Sequence, residues 1–404
     1  MTYFNGITKT AAKGMIFGTE RCRAILDRLD CPDEKLEIVH ISGTNGKGSV
    51  AEYMTQILVA AGKRTGTFTS PAVFDFNEQF RVNGVPIEDE KLSGYLAQAV
   101  KAAEGTGATS FEIESAAALY AFFKEGCVYA VIECGLGGTY DATNAILKKR
   151  LALISTVALE HTQYLGEDIK SICGHKFGIV KNCEAVVSAL QPDEAIEFFK
   201  GKKADFADRQ IKILNSGTGG TDFEYGGKKY HIPCIGAYAQ PFNAALAIEG
   251  AKRLKIDENA IYTGVNLAQP RGRIEIKRAH GITVVLDGAH NPDSFKPLCE
   301  FLKSGETGDD RVIIFGCLAD KDINGNLALL QGLSKRIIAV QCPGERALAL
   351  GEVYAACSKY FENALMADSI DGALNIAAKT AETAVVCGSF TLLKEADKWI
   401  EKEL

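Results

Sequence analysis

The sequence predicts an α/β protein with two domains, the first built on a doubly wound, mostly parallel sheet and the second smaller. Short apolar runs alternate with segments of helix length, which is the pattern of a sheet covered by helices. A polar segment punctuated by Pro and Gly then separates two such sets of elements. The 404 residues are enough for two or three domains of about 150 residues.

The first strand and the first strong helix can be assigned with a glycine-rich turn between them. Leu36–Ser42 is a short apolar run that ends in glycines, as a buried strand before a tight turn would. The next apolar residues recur at the spacing of one helix face. They are Val50, Tyr53, Met54, Ile57 and Leu58. Gly62 is a plausible end for this helix.

The rest of the first domain continues the alternation of strands and helices. Tyr129–Glu133 and Leu151–Val157 are apolar on both faces, which indicates buried parallel strands. Ser115–Phe123 and Asp168–Phe177 have the length and pattern of helices. Residues 200–235 are polar and rich in glycine, so we predict a small antiparallel excursion there.

A second set of strand-like runs follows Arg273 and predicts a smaller, Rossmann-like α/β domain. These runs are Thr283–Leu286, Val312–Phe315, Ile337–Val340 and Ala384–Val386. The segment Gln269–Arg273 is the best candidate for a linker. We therefore place the domains at 1–268 and 276–404, joined by a linker over 269–275.

Composition excludes several classes of protein and partner. Hydrophobic residues make up 47% and charged residues 24%, the mix of an ordinary globular protein. No stretch reaches the roughly 20 apolar residues of a membrane-spanning helix, and Met1–Lys13 lacks the pattern of a secretory signal. The net charge of −6 argues against a nucleic acid held by its phosphates. The twelve cysteines are scattered, so we expect reduced thiols and a cytoplasmic protein.

The glycine-rich segment Ser42–Ser49 predicts a phosphate-binding loop of the P-loop type. A strand, a glycine loop and a helix N-terminus direct free backbone N–H groups at one point, which attracts phosphate. Lys47 would supply a cation for the β and γ phosphates, and the hydroxyl of Ser49 could reach a bound Mg²⁺. The usual pattern is altered here, since Ile41 replaces its first glycine and Gly48 separates the lysine from the serine.

In its motifs the chain resembles the Mur ligase superfamily, and more specifically folylpolyglutamate synthase and dihydrofolate synthase. Gly43–Ser49 resembles the nucleotide loop of these enzymes, and further motifs follow in the same order over most of the chain. They include Thr69–Pro71, Phe76–Glu78, Ile132–Gly138, Asp141–Asn144, Lys176–Ile179, Asp287–Pro292, Asp320–Asp322 and Gly388–Ser389. The resemblance implies an ATP-dependent ligase that adds L-glutamate to a folate through an acyl phosphate.

The resemblance also implies roles for individual residues. The nucleotide would be bound by Thr44, Asn45, Gly46, Lys47, Gly48, Ser49, Asn243, Arg273 and Asp287. Mg²⁺ would be held by Ser49, Ser70, Glu133, His161 and Lys176, the last carrying a carbamate in relatives. Lys47, Lys176 and His290 would be catalytic, and Ser389 with His290 would bind the glutamate. Because these groups fall in both domains, the resemblance implies a cleft between the domains, in a protein expected to be a monomer.

The sequence departs from the family at the loops expected to shape the acceptor pocket. Ala72-Val73 stand where the family has His-Leu, and Gln79 stands where it has Arg. Glu160 replaces an Asp, Ala239 a His and Arg271 a Pro. A ligase acting on another small carboxylate therefore stays open as an alternative, as do a nucleotide-dependent switch protein and a P-loop kinase.

Overall fold

The structure is a computed structural model that describes residues 7, 10–12, 14, 16–207, 210–236 and 239–402. The segment 1–13, in which we found no secretory signal, lies largely outside these residues, as do the outer ends of the two predicted domains. No helix in the described ranges has both the length and the apolar character needed to cross a membrane.

The N-terminal domain is built on a sheet of eight strands, within the described residues, in the order β4-β3-β2-β5-β1-β6-β7-β8. Its strands are β1 Glu37–Ser42, β2 Thr65–Phe68, β3 Phe80–Val82, β4 Val85–Pro86, β5 Tyr129–Glu133, β6 Leu151–Ile154, β7 Glu184–Val187 and β8 Asp205–Phe206. Strand β1 pairs in parallel with β5 and β6, and the antiparallel pairs among the described strands of this sheet are β2 with β3 and β3 with β4. The predicted doubly wound, mostly parallel sheet is confirmed.

Helices cover both faces of this sheet. They are Glu20–Arg28, Lys47–Ala60, Asp89–Ala103, Ser110–Lys124, Thr162–Leu165, Ile169–Phe177, Asp193–Lys200, Gln240–Arg253 and Glu258–Leu267. A separate antiparallel sheet of β9 Ile211–Gly217, β10 Gly220–Tyr225 and β11 Lys228–Ile232 lies where the sequence predicted an antiparallel excursion.

The C-terminal domain contains a sheet of six strands, counted over the described residues, in the order β12-β13-β17-β14-β15-β16. They are β12 Glu275–Ala279, β13 Ile282–Leu286, β14 Arg311–Phe315, β15 Arg336–Ala339, β16 Asn363–Met366 and β17 Thr383–Cys387. Its helices are Pro292–Lys303, Ile323–Leu330, Leu350–Tyr360, Ile370–Thr380 and Phe390–Glu401. The boundaries predicted at 269 and 275 stay a prediction, although β12 begins at Glu275.

The two strands of the C-terminal sheet that the sequence did not predict lie at its edges. Strand β12 is antiparallel to β13 and carries charged side chains, and β16 exposes Leu365 and Met366. An edge strand is only partly covered, so its sequence lacks the continuous apolar run of a buried parallel strand. The apolar criterion therefore found the four inner strands and missed the two outer ones.

The helix Lys47–Ala60 is buried on nearly all sides rather than along one face as the sequence spacing suggested. Glu52, Tyr53 and Thr55 are all buried along with the predicted apolar residues. The cause is tertiary packing: the helix lies between the sheet and a second layer formed by the helices Gln240–Arg253 and Glu258–Leu267. Tyr53 contacts Gln240 of this layer, whereas Thr55 bonds to Thr67 of β2 and Glu52 pairs with Arg81 of β3. Elements outside the helix therefore cover its polar residues.

Gly264 permits the closest approach in this layer. A Cβ built there would lie within 3.0 Å of backbone atoms of Ile57, which cannot rotate away. Gly94, in the helix Asp89–Ala103, has nothing within 4 Å of the same position. One glycine is therefore required by packing, and the other only weakens its helix.

We expect Gly264→Ala to lower the free energy of unfolding by about 1 to 3 kcal/mol, because overpacking forces backbone shifts. Gly94→Ala is the matched control, and we expect it to raise stability by about 0.5 to 1 kcal/mol through helix propensity. Urea unfolding followed by circular dichroism measures both midpoints. Equal shifts in the two variants would contradict the packing role of Gly264.

Candidate active site

The glycine loop between β1 and the helix Lys47–Ala60 has a backbone that side chains rarely adopt. Gly43 has φ +147° and Gly46 has φ +90°. A Cβ at Gly43 would clash with the side chain of Ser155, and one at Gly46 with the amide of Asn243. Both glycines are therefore required by conformation and by space. The loop carries the N-terminus of a 14-residue helix, a favourable place for anionic groups.

Lys47 lies between the loop and the end of β5. Its Nζ donates a hydrogen bond to the carbonyl oxygen of Thr44 at 3.2 Å and lies 3.9 Å from Oε1 of Glu133. The side chain is 15% exposed, so the ammonium still has access to a ligand. Lys47 is thus held near the loop by one weak ion pair and one backbone acceptor.

Glu133 is a buried carboxylate at the carboxyl end of β5. Its Oε2 accepts a hydrogen bond from the backbone N–H of Ser70 at 3.3 Å. Burial raises the pKa of Glu133 to about 7, although Lys47 and the Ser70 N–H oppose that shift. The raised pKa means that the positive charge near Glu133 does not offset the loss of water around its carboxylate. A bound cation would stabilise the ionised form.

A cavity of about 710 Å³ lies between the two domains on one side of the loop. Both domains contribute to its lining. Of the residues that the sequence predicted for the site, it is lined by Asn45, Gly46, Ser49, His161, Asn243, Arg273 and Asp287. Its volume is that of a small-molecule site, and the glycine loop forms one wall.

A second cavity, of about 230 Å³, adjoins the loop on its other side. Of the predicted residues it is lined by Gly48, Ser49, Ser70, Glu133 and Arg273. Ser49 and Arg273 therefore line both cavities. Two ligands could thus meet beside the loop, one in each cavity.

Burial also changes two basic groups near the loop. It lowers the pKa of His161 to about 4, so this imidazole is neutral and able to bind a metal ion. Burial and the nearby charge of Lys47 lower the pKa of Lys176 to about 7. A large fraction of Lys176 is then a neutral amine at physiological pH. A neutral amine is the form that can react with CO₂ to give a carbamate.

Asn243 and Asp287 are held in place by buried hydrogen bonds. Asn243 donates to Oε1 of Gln240 at 3.4 Å, and the Gln240 amide donates to the hydroxyl of Ser49 at 3.3 Å. Asp287, at the end of β13, accepts from the N–H groups of Ile274 and Ala289 at 2.9 and 2.7 Å. Burial raises the pKa of Asp287, and the nearby charge of Arg273 opposes that shift.

Contacts between the domains converge beside the loop. Asn45 and Asn291 exchange amide hydrogen bonds of 3.3 and 3.1 Å. Oε1 of Glu160 lies 3.3 Å from His290 Nε2 and 2.8 Å from Lys321 Nζ. Burial alone would raise the pKa of Glu160, but His290 and Lys321 hold it well below its ordinary value.

Five predicted residues do not line either cavity: Thr44, Lys47, Lys176, His290 and Ser389. Thr44 belongs to the loop, and Lys47 bonds to its carbonyl oxygen. Lys176 is close enough to Lys47 for that charge to lower its pKa, and His290 contacts Glu160 beside the loop. Ser389 lies at the N-cap of the helix Phe390–Glu401, where its hydroxyl is 2.9 Å from that of Thr391. The predicted glutamate-binding role of Ser389 stays a prediction.

Sequence reasoning assigned no role to most residues of the larger cavity, and three of these make polar contacts that matter for the site. Asn291 and Lys321 occur in motifs that support the resemblance, but no role was assigned to them, and Gln191 was not noticed at all. The Gln191 amide bridges the backbone of Ser155 and Val157. The Asp320–Asp322 motif could have indicated Lys321, whereas nothing in the sequence indicates Gln191.

The residues present fit a magnesium ion shared with a nucleotide. Mg²⁺ in such sites takes one or two carboxylates and completes its shell with phosphate oxygens and water. Glu133, Ser70 and Ser49 offer oxygen donors around one cavity, and His161 offers a neutral nitrogen. In the described part of the chain no three His, Cys, Asp or Glu side chains cluster as a self-sufficient metal site.

Comparison with known families identifies both halves of the chain. Residues 41–249 match the Mur ligase middle domain, and residues 272–390 match the glutamate ligase domain of Mur ligases. The chain is 30% identical to the dihydrofolate synthase/folylpolyglutamate synthase of Escherichia coli strain K12, covering 94% of this chain and 90% of that protein.

Two further relatives support the same grouping. A probable bifunctional folylpolyglutamate synthase/dihydropteroate synthase of Haloferax volcanii is 33% identical over 76% of this chain, which spans only 38% of that protein. The crystal structure of the Yersinia pestis bifunctional folylpolyglutamate synthase/dihydrofolate synthase, complexed with AMPPNP and Mn, has a TM-score of 0.84. It is 27% identical and covers 99% of this chain and 97% of its own.

We expect Lys176→Met to stabilise the ligand-free protein, because the pKa of the buried amine falls from 10.5 to about 7 on folding. A depressed pKa means that its contribution to stability is lost as pH falls from about 10.5 towards 7. The gain should therefore grow over that range and level off below pH 7.

Thermal unfolding in CO₂-free buffer at several pH values measures this gain. Lys170→Met is the matched control, because Lys170 is an exposed lysine on the same helix. A gain in thermal stability that is independent of pH, or equal in both variants, would contradict the burial of the Lys176 amine.

Proposed function

The chain belongs to the Mur ligase family, in its folylpolyglutamate synthase/dihydrofolate synthase branch, and we propose that it uses ATP to join L-glutamate to a folate. The observation that carries this proposal is the pair of adjoining cavities that share Ser49 and Arg273 at the glycine loop. One cavity can hold the nucleotide, and the other can bring a carboxylate to its phosphate end. Matches to both Mur ligase domains support the proposal.

The larger cavity is the proposed ATP site. Its phosphate end is the loop, where free backbone N–H groups and Lys47 would bind the phosphates. Asn243 lies at one wall for the base, and Asp287 lies at a strand end, where ligands bind in open α/β sheets. Arg273 lines this cavity from the linker side and would meet a phosphate there, and its guanidinium lies 4.7 Å over the ring of Phe390.

The smaller cavity is the proposed site of the acceptor carboxylate. The family's usual arginine is Gln79 here, and that side chain is buried and faces the carbonyl of Phe76 instead. Three arginines line this cavity, and so do three glutamates: Arg81, Arg271 and Arg273 with Glu52, Glu78 and Glu133. Arg81 is paired with Glu52 at 2.5 Å. Arg271 is likewise paired with Glu275 at 3.5 Å. A guanidinium binds a carboxylate in a defined planar geometry, so Arg273 is the residue that would bind the acid.

The reaction has two steps in this arrangement. The acceptor carboxylate attacks the γ-phosphorus of ATP, which forms an acyl phosphate and releases ADP. The glutamate amine then attacks the acyl carbon, and phosphate leaves from the tetrahedral intermediate. The chain's contribution is to position both reactants and to neutralise charge with Lys47, Arg273 and His290.

A divalent ion and a carbamate on Lys176 complete the proposal. Glu133, Ser70, Ser49 and His161 would hold Mg²⁺, which would offset the charge of the transferred phosphoryl group. A carbamate would convert the buried Lys176 amine into an anionic oxygen ligand for metal. A monomeric state and a cytoplasmic location complete the proposal, the latter supported by twelve free thiols.

We expect Lys47→Ala to lower ATP turnover by roughly a hundredfold or more, because a cation at the transferred phosphate is removed. Phosphate release with Mg-ATP, acceptor and glutamate is the measurement, and circular dichroism checks the fold. Lys63→Ala is the control, since Lys63 is exposed just beyond the other end of the same helix. Turnover by Lys47→Ala at the level of the control would contradict the loop assignment.

We expect a folate acceptor to release phosphate in the presence of Mg-ATP and L-glutamate, while unrelated acids release little. The screen compares dihydropteroate, tetrahydrofolate and several small carboxylic acids, with mass spectrometry to detect the added glutamate. Activity with dihydropteroate as well would show both family activities in one chain. Turnover only with a non-folate acid would replace the folate assignment with a different acceptor.

A further inference from the structure

One carboxylate of the N-terminal domain lies at the centre of the contact between the domains. Oε1 of Glu160 lies 2.8 Å from Lys321 Nζ and 3.3 Å from His290 Nε2. The Nδ2 of Asn291 donates to the same oxygen at 3.3 Å. All three partners belong to the C-terminal domain, so a single oxygen atom links three of its side chains to the opposite domain.

This contact is shielded from water. The side chains of Glu160 and Lys321 are 11% and 10% exposed. A second ion pair between the domains, Asp75–Lys394 at 3.2 Å, is 75% and 40% exposed. Exposed pairs contribute little and are screened by salt, whereas removing one partner of a buried pair leaves an uncompensated charge. The Glu160 contact is therefore the stronger of these two ion pairs between the domains.

We propose that Glu160 is a positioning residue that keeps the domains closed and places His290 and Lys321 beside the phosphate end of the nucleotide cavity. The inference rests on the proposed function, because it assigns these two side chains to the charge of a transferred phosphoryl group. Glu160 would touch neither substrate and would act through its two partners.

The surroundings of His290 fix its ring at both nitrogens. Nδ1 lies 2.8 Å from the carbonyl oxygen of Gly288, which can only accept, so Nδ1 carries a proton. Nε2 is then directed at Glu160. The Asn326 amide also donates to the His290 carbonyl at 3.2 Å, so the backbone is held as well. Of these contacts, the one with Glu160 is the one that depends on the other domain.

The amide pair of Asn45 and Asn291 ties the same region to the glycine loop. Asn291 is bonded to both Asn45 and Glu160, so the loop and the carboxylate share one partner. Lys321 and Glu160 both line the larger cavity. Closure thus sets the distance between the loop that would hold the phosphates and the Lys321 and His290 side chains of the opposite domain.

The length of Glu160 matters in this contact. The aspartate usual in the resembling family would end one carbon–carbon bond earlier, about 1.5 Å shorter. With unchanged domains, Lys321 Nζ would then lie roughly 4 Å from the nearest carboxylate oxygen, beyond hydrogen-bond distance. An aspartate at this position would keep the negative charge, and a shift of about 1.5 Å between the domains would restore its contact with Lys321.

The test combines kinetics with a structural measurement on the full chain. The variants are Glu160→Gln, Lys321→Met, their combination and Glu160→Asp. We expect Glu160→Gln and Lys321→Met each to lower kcat roughly tenfold to a hundredfold, with the double variant no worse than the poorer single one. Glu160→Asp keeps the charge and should retain more activity than Glu160→Gln. Small-angle X-ray scattering without ligands should show a larger radius of gyration for Glu160→Gln.

Asp75→Asn is the matched control, because it removes a solvent-exposed pair between the same domains and should stay within twofold of wild type in kcat. Additive losses, an unchanged radius of gyration in Glu160→Gln, or Glu160→Asp no better than Glu160→Gln would overturn the proposal. A gain in ATP affinity in Glu160→Gln would also overturn it, since Glu160 would then compete with phosphate. If wild type ligates nothing but Glu160→Gln still opens, the function fails and the closure role stands.

Discussion

Unbalanced charge at the glycine loop is the constraint on which the rest of the structure depends. Glu133 and Lys176 are both buried, and burial shifts the pKa of each towards about 7, in opposite directions. Neither group has a close partner that fully compensates it among the described residues. Such a site is poor for stability but well suited to ligands that bring both a divalent cation and several phosphate charges.

The two sheets are arranged so that this charge is approached from both domains. The loop follows β1, and Asp287 follows β13, so the carboxyl ends of parallel strands from both sheets face one cleft. Phe74 of the N-terminal domain packs into the C-terminal core, with Arg271 and Lys277 over its ring. Apolar contact thus holds the domains together at one place and Glu160 holds them at another.

Elements with a strong local signal were predictable, and elements decided by their neighbours were not. Strand β5 was predicted with its observed bounds, because Tyr129–Glu133 is apolar on both faces. Strand β6 ends at Ile154 rather than Val157, since Thr156 already pairs with Asn45 of the loop. Charged β12 was missed, because pairing at a sheet edge leaves no apolar run to detect.

The sequence by itself determined the alternation of strands and helices, the glycine loop and the family motifs, because each leaves a local pattern. Only the tertiary structure decided that Ser49 and Arg273 lie between two cavities, and that Glu160 meets Lys321 across 161 residues of chain. Contacts of that separation depend on how two domains pack, and no local pattern in the chain encodes that packing.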